Sequence, residues 1–212
     1  MLQSRRQILG QLAGAATAAP AFVRPVQARL EPTPNEIVGP FYPLAKPADA
    51  DADLTMVAGR TGRAIGQVVE LSGRIVDLAG RPVPGARLEI WQANAAGRYA
   101  HPSDDNTAPL DPNFQGYARL STDAGGTYRI VTVKPAGYPG GGRGMRAPHI
   151  HFDLAGSTDR LVVQMYFPDE PLNAADALLR ANIRPAMVIA NAMGADASGI
   201  LRYRWDMVLR TG

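Results

Sequence analysis

The chain has no cysteine. Disulfides are therefore excluded, and no thiolate can serve as a metal ligand. Histidine is scarce, with His101, His149 and His151 the only three among 212 residues. Beyond the N-terminal stretch, no uninterrupted apolar run is long enough to span a bilayer. An excess of one charge is also missing once position is considered. Residues 1–28 contain Arg5, Arg6 and Arg24 and no acid; setting these three aside leaves 19 of the 22 basic residues against 19 acids. The basic overall charge is thus mostly a property of the N-terminus and gives no support for nucleic-acid binding.

Those first residues have their own logic. Ser4-Arg5-Arg6-Gln7-Ile8-Leu9 is a twin-arginine pattern, Gly10 to Phe22 is small and weakly apolar, and Val26-Gln27-Ala28 fits a small-residue cleavage site. The order predicts a twin-arginine signal peptide over 1–28, export to the periplasm or beyond, and no membrane anchor in the mature chain. The plainer alternative is an amphipathic helix with two chance arginines. Export in the folded state suits a metalloprotein, because affinity order alone selects the wrong metal.

Residues 29–66 are rich in proline and alanine and show little periodicity. Gly39-Pro40-Phe41-Tyr42-Pro43 reads as an extended arm packed on a surface, here or on another subunit, rather than a bare linker. From Gln67 the strand signals are dense. Val68–Val76, 86–91, 117–122, 128–133, 149–154, 161–167 and 201–209 alternate or are β-rich, with turns at 77–82, 84–85 and 123–126. Residues 123–126 read as a hairpin turn, and 173–179 as one short helix capped by Asn173. The pattern predicts an all-β fold, an antiparallel β-sandwich with long loops, over 67–212.

Chemistry concentrates in Arg146-Ala147-Pro148-His149-Ile150-His151-Phe152. Ile150, Phe152 and Leu154 alternate with His149, His151 and Asp153, so both imidazoles share one face of a strand. That makes half of a metal site. Tyr138, in the loop before this strand, and Tyr99, after an earlier strand, are candidate partners. Two phenolates with two neutral imidazoles suit Fe(III) better than Zn(II). Taken singly, each tyrosine also fits a core position with its hydroxyl satisfied, and a lone His-x-His need not bind metal.

As a set, these stretches resemble the intradiol ring-cleavage dioxygenases, nearest to the protocatechuate 3,4-dioxygenase type. The resemblance is carried by Gly39–Pro43, by 85–99 with Glu89-Ile90-Trp91-Gln92-Ala93-Asn94, and by Ala108-Pro109-Leu110-Asp111-Pro112-Asn113-Phe114. Thr122-Asp123, Lys134-Pro135, Arg146–Phe152 and Gln164-Met165-Tyr166-Phe167 follow in the family's order. It implies a β-sandwich with one mononuclear non-haem Fe(III), with Tyr99 and His149 as equatorial ligands and Tyr138 and His151 as axial ones. It further implies cleavage of a catechol by O2 to a cis,cis-muconate. In that chemistry Tyr138 acts as a base, Arg146 stabilises carbanion character on the ring, and Gln164 lies near the reacting carbons or orients a ligand.

The sequence departs from the pattern in two places. An aromatic residue commonly follows the Tyr-Pro pair in the nearest relatives, whereas here Gly140-Gly141-Gly142-Arg143-Gly144 follows, which predicts a more open pocket wall. The helical N-terminal domain of the catechol 1,2-dioxygenase branch is absent, so a homo-oligomer would assemble differently. Arg98, Arg143 and Lys134 are candidates for a substrate carboxylate, and Tyr42 could shape the pocket or an interface. His101 reads as a polar loop residue. Two rivals remain. Residues 67–91 also resemble transthyretin-like and carboxypeptidase-regulatory-like binding modules, and the same ligands could serve an iron or copper carrier. Neither rival needs Arg146 and Gln164.

Overall fold

The computed structural model describes residues 29–210. The leader expected over 1–28 lies outside them. In chain order the strands are β1 (Val68–Val76), β2 (Arg87–Trp91), β3 (Tyr117–Ser121), β4 (Thr127–Val133), β5 (Tyr138–Pro139) and β6 (Met145–Arg146). They continue with β7 (His149–Ala155), β8 (Arg160–Tyr166), β9 (Asn191–Ala195), β10 (Leu201–Arg204) and β11 (Met207–Val208), and one helix, α1, spans Ala177–Ala181. The fold is the all-β sandwich that the alternation predicts. One sheet is built around β1, which pairs with β4 antiparallel and with β10 and β11 parallel, while β9 extends β10. The other is antiparallel throughout, in the order β3-β2-β7-β8.

The period of two makes both sheets one-sided. Val69, Leu71 and Ile75 of β1 point inward, opposite Leu88 and Ile90 of β2 and Ile150, Phe152 and Leu154 of β7. Phe152 joins the layers, meeting Tyr128 of the first sheet at 5.9 Å and Trp205 at 5.1 Å between ring centroids. Each such fully buried side chain contributes about 1.5–3 kcal/mol. Among the described residues no helix is long and apolar enough to cross a membrane.

Three expectations need correction. The turn at 123–126 is not a hairpin. Asp123 Oδ1 does accept from the Gly125 and Thr127 N–H groups, but β3 belongs to one sheet and β4 to the other. The turn carries the chain between layers: β3 pairs with β2 and β4 with β1, and the arm bonds their other edges, Ala50 O accepting from Arg119 N–H and Ala52 O from Val131 N–H. The helix does not begin at Asn173, whose side chain donates to Phe167 O. A 3₁₀ turn over Pro171–Ala174 comes first, and Asp176 caps α1 by accepting from Leu178 and Leu179 N–H. The stretch 201–209 is two strands rather than one, interrupted at Trp205-Asp206, where Asp206 accepts from Arg74 N–H.

The segment 29–66 is an arm held on the chain's own sheets. Thr33 N–H donates to Val208 O, Glu36 N–H to Val162 O and Leu54 N–H to Val131 O. The arm carries Phe41 and Tyr42 over the outer face of the second sheet, where Phe41 stacks on Tyr99 at 4.6 Å and Tyr42 meets Trp91 edge-on at 5.0 Å. That cover explains why Trp91 is buried although the alternation of β2 points it outward.

Candidate metal centre and substrate cavity

Strand register assembles one side of the site. His151 lies between Trp91 on β2 and Gln164 on β8, and His149 faces Tyr166. All five side chains therefore stand on the outer face of this sheet at one end. The Trp91 ring stacks on His151 at 4.8 Å with an interplanar angle of 10°.

Two loops bring the tyrosines. Asn94 Oδ1 accepts from the Ala96 and Arg98 N–H groups, closing a turn, and Asp104 Oδ2 accepts from Tyr99 N–H at 2.7 Å. Tyr138 comes from the β5–β6 ribbon, directly opposite Arg146. The loops touch through Gly97 (φ 79°), where a Cβ would lie 2.6 Å from Gly137 O. Only glycine permits that approach.

The four donor atoms converge. Tyr99 Oη lies 3.5 Å from Tyr138 Oη, Tyr138 Oη lies 3.1 Å from His149 Nε2, and the two histidine Nε2 atoms are 3.2 Å apart. His149 Nδ1 is 2.6 Å from Ala147 O, so it carries the proton and donates, leaving the Nε2 lone pair directed at the cluster. Burial, reinforced by the Arg146 charge, pushes His149 down to about 3. Burial and then His149 hold His151 well below the usual histidine range. Burial likewise raises both phenols, with Tyr138 adding to the effect on Tyr99.

Among the described residues no group of three His, Cys, Asp or Glu gathers. The anionic donors this cluster would offer a metal are the phenolates of Tyr99 and Tyr138. This donor set fits a hard, highly charged cation, which would offset the cost of ionising buried phenols.

Arg146 is not a surface ion pair. It is buried, with Nε on Asp176 Oδ2 at 2.9 Å and Nη2 on Gln164 Oε1 at 2.5 Å and Tyr166 Oη at 3.0 Å. Asp176 is a residue the sequence reading missed. Its Oδ2 also accepts from Ala147 N–H at 2.8 Å, and its Oδ1 caps α1. Burial alone would raise this carboxyl, but hydrogen bonds from Leu179 and Ala147 N–H and the Arg146 charge hold it below the usual range. One carboxylate thus ties α1 to Arg146 and to Ala147, the residue whose carbonyl orients His149. Asp176→Ala is expected to destabilise the fold by about 3–5 kcal/mol, the scale of a broken buried ion pair; urea unfolding checks it. Glu36 of the arm braces the same region, accepting from Gln164 N–H and Asn182 Nδ2. Tyr166 was legible in principle, since it lies two residues after Gln164 on the same face.

The remaining candidates separate cleanly. Arg143 lines the cavity above the cluster, together with Tyr138, Arg146, His151 and Gln164. Lys134 pairs with Glu170, and Arg98 Nη1 donates to Ala108 O. His101 lies edge-on to Phe41 at 5.8 Å and accepts from Ser103 N–H, outside the four-donor cluster. Tyr42 bonds Glu89 rather than entering the cavity.

The pattern of the Dioxygenase family matches residues 37–211. The protocatechuate 3,4-dioxygenase beta chain of Burkholderia cepacia is 42% identical over 179 residues, which cover 81% of this chain and 76% of that protein. The chain belongs to the intradiol ring-cleavage dioxygenases. Catechol 1,2-dioxygenase of Acinetobacter baylyi is 33% identical over 155 residues, 66% of this chain but only 47% of that longer protein. Among solved structures, the dioxygenase domain of a carbohydrate-binding fusion from Streptomyces sp. SirexAA-E superimposes with a TM-score of 0.66 at 27% identity. That match covers 86% of this chain and 100% of the domain. The 3-chlorocatechol 1,2-dioxygenase of Rhodococcus opacus shares the fold at a TM-score of 0.67 and 21% identity, over 83% of this chain and 71% of its own.

The histidine shifts in this dioxygenase set a pH dependence for the metal-free protein. Both imidazoles are neutral when folded and take up protons near 6.5 when unfolded. Their contribution is complete above 6.5 and is lost as pH falls from there, towards about 3 for His149. Between pH 7.5 and 5.5 the two imidazoles are expected to cost the metal-free protein about 3 kcal/mol, measured by urea unfolding at each pH. Glu36, raised by burial, opposes this loss at the acidic end.

Proposed function

We propose that Tyr99, Tyr138, His149 and His151 hold a mononuclear non-haem Fe(III), and that the enzyme cleaves catechols with O2 between the hydroxyl-bearing carbons. The supporting observation is that four donor atoms of the right chemistry meet beneath a cavity that also presents Arg146 and Gln164. The ring carbon–carbon bond breaks, each of its carbons gains one atom of O2, and a cis,cis-muconate forms without an outside reductant. When bound, Fe(III) would act as a Lewis acid toward the diol and draw electron density from the ring.

The chain's residues supply the rest. Tyr138 and His151 face the cavity, whereas Tyr99 is packed behind under Phe41 and His149 against Tyr166. Tyr138 Oη is therefore placed to take a substrate hydroxyl proton. Arg146, held on three sides, is a fixed cation for negative charge developing on the ring. Gln164 orients that guanidinium through Oε1. A binding module or metal carrier would have no use for this brace.

The twin-arginine pattern supports export to the periplasm or beyond. All four ligands lie in one chain, so a homo-oligomer would be active without a second kind of subunit.

A visible spectrum of aerobically iron-loaded protein tests the reading. A tyrosinate-to-iron band that shifts on adding catechol or protocatechuate is expected. Failure to gain colour on iron loading would instead favour the transthyretin-like binding module.

A further inference from the structure

The cavity is much larger than a single-ring catechol requires. A space of about 150 Å³ holds a benzene-sized ring. This cavity, open to solvent at its mouth, offers about 670 Å³, within the range that holds drug-sized ligands. Its buried residues, Tyr138, Arg146, His151 and Gln164, form the floor, and the exposed Ser103, Asp105, Thr107 and Arg143 mark the mouth.

Two loops keep the mouth open. The tip of the β5–β6 ribbon is Gly140–Gly144, closed by Gly140 N–H on Gly144 O at 2.7 Å. A Cβ on Gly140 would lie 3.1 Å from the Arg146 side chain, so glycine lets this loop lie close against the arginine. Gly141, Gly142 and Gly144 have φ of 55°, 76° and 79°, with nothing within 4 Å of a Cβ position, and Arg143 is the loop's only side chain. The facing loop, 103–107, is braced from within. Asp104 accepts from Tyr99 and Asn106 N–H, and Asn106 bonds Gly97 O and Ala108 N–H. The third wall is apolar, formed by Ile37, Phe41 and Leu178.

We propose, resting on the ring-cleavage reading above, that the preferred substrates are catechols carrying a second, hydroxyl-bearing ring attached away from the diol. The diol end faces the four donors, and the second ring lies along Ile37, Phe41 and Leu178. Its hydroxyls donate to Asp105 and accept from Arg143, Ser103 or Thr107. Opposite charges on Asp105 and Arg143 leave the mouth with no net attraction for a carboxylate, so uncharged hydroxyls match it better than a benzoate group does.

The test uses the full iron-loaded enzyme with catechol, protocatechuate and catechin, whose catechol ring is joined through a pyran ring to a second, dihydroxylated aromatic ring. The kcat/KM for catechin is expected to exceed both others, by about tenfold over catechol. Thr107→Trp, which narrows the mouth, is expected to lower kcat/KM for catechin at least tenfold more than for catechol. Calorimetric titration of the iron-free protein should show catechin bound at least tenfold more tightly than catechol. A kcat/KM for catechin at or below that for catechol or protocatechuate overturns the substrate class and leaves ring cleavage standing. Equal losses in Thr107→Trp overturn it as well. No cleavage of any catechol by iron-loaded protein defeats the ring-cleavage reading itself, while the iron-free titration still decides what the cavity prefers.

Discussion

His149→Ala is expected to abolish both iron retention and ring cleavage. The imidazole sits at the centre of the donor cluster, with Tyr138 Oη at 3.1 Å and His151 Nε2 at 3.2 Å, and it is the ring whose tautomer is fixed by Ala147 O. Removing even an outer-sphere partner of a ligand costs about 10–100-fold in metal affinity, so loss of a ligand should exceed a hundredfold. Metal analysis after gel filtration checks this directly, with less than a tenth of the wild-type iron expected. Near-wild-type iron content in His149→Ala would remove His149 from the ligand set. Urea unfolding of the metal-free variant serves as the control, because the substitution should also remove part of the stability loss between pH 7.5 and 5.5.

Arg146→Leu is expected to lower kcat by about 10²–10³, the scale for removing one preorganised group that meets developing negative charge. Iron binding should persist, because Arg146 supplies no donor atom to the cluster. Without the guanidinium, Asp176 still accepts from Ala147 N–H and caps α1, and Tyr166 Oη still reaches Gln164 Oε1 at 3.3 Å. The scaffold keeps those hydrogen bonds, although leaving Asp176 as an unpaired buried carboxylate is expected to cost about 3–5 kcal/mol of stability; in the folded variant the loss should appear in kcat more than in iron content or KM. Arg146→Lys provides the comparison. It keeps the charge but cannot bond Asp176, Gln164 and Tyr166 at once, so partial rescue is expected. Equal kcat in Arg146→Leu and the wild type would show that the guanidinium only supports the fold.

Local patterns carried much of this into view. Alternation in His149-Ile150-His151-Phe152 put both imidazoles on one face because the strand repeat is a property of the backbone. The same argument placed Ile150, Phe152 and Leu154 in the core. It failed at 123–126, where the turn chemistry was read correctly but the partners of β3 and β4 were not. Sheet pairing depends on distant strands competing for hydrogen bonds, and nothing within a turn records which edge is free. It failed again at α1. Asn173 and Asp176 are both sound caps by residue type, and the choice fell to Asp176, whose other oxygen is held by Arg146 and Ala147, some thirty residues away in sequence.

By itself the sequence determined the chemical inventory: no thiols, three histidines, a His-x-His strand, two tyrosines near strand ends, and a glycine-rich loop after Tyr138. Composition and spacing are local, and local rules read them. The family resemblance already grouped Tyr99 and Tyr138 with those histidines, and the glycine loop already pointed to an open pocket; only the tertiary structure decided that Asp176 and Glu36 brace the arginine and glutamine beside them, and how far the cavity extends. Those are contacts between segments far apart in the chain, fixed by the packing of two sheets, an arm and a short helix whose positions no single segment encodes.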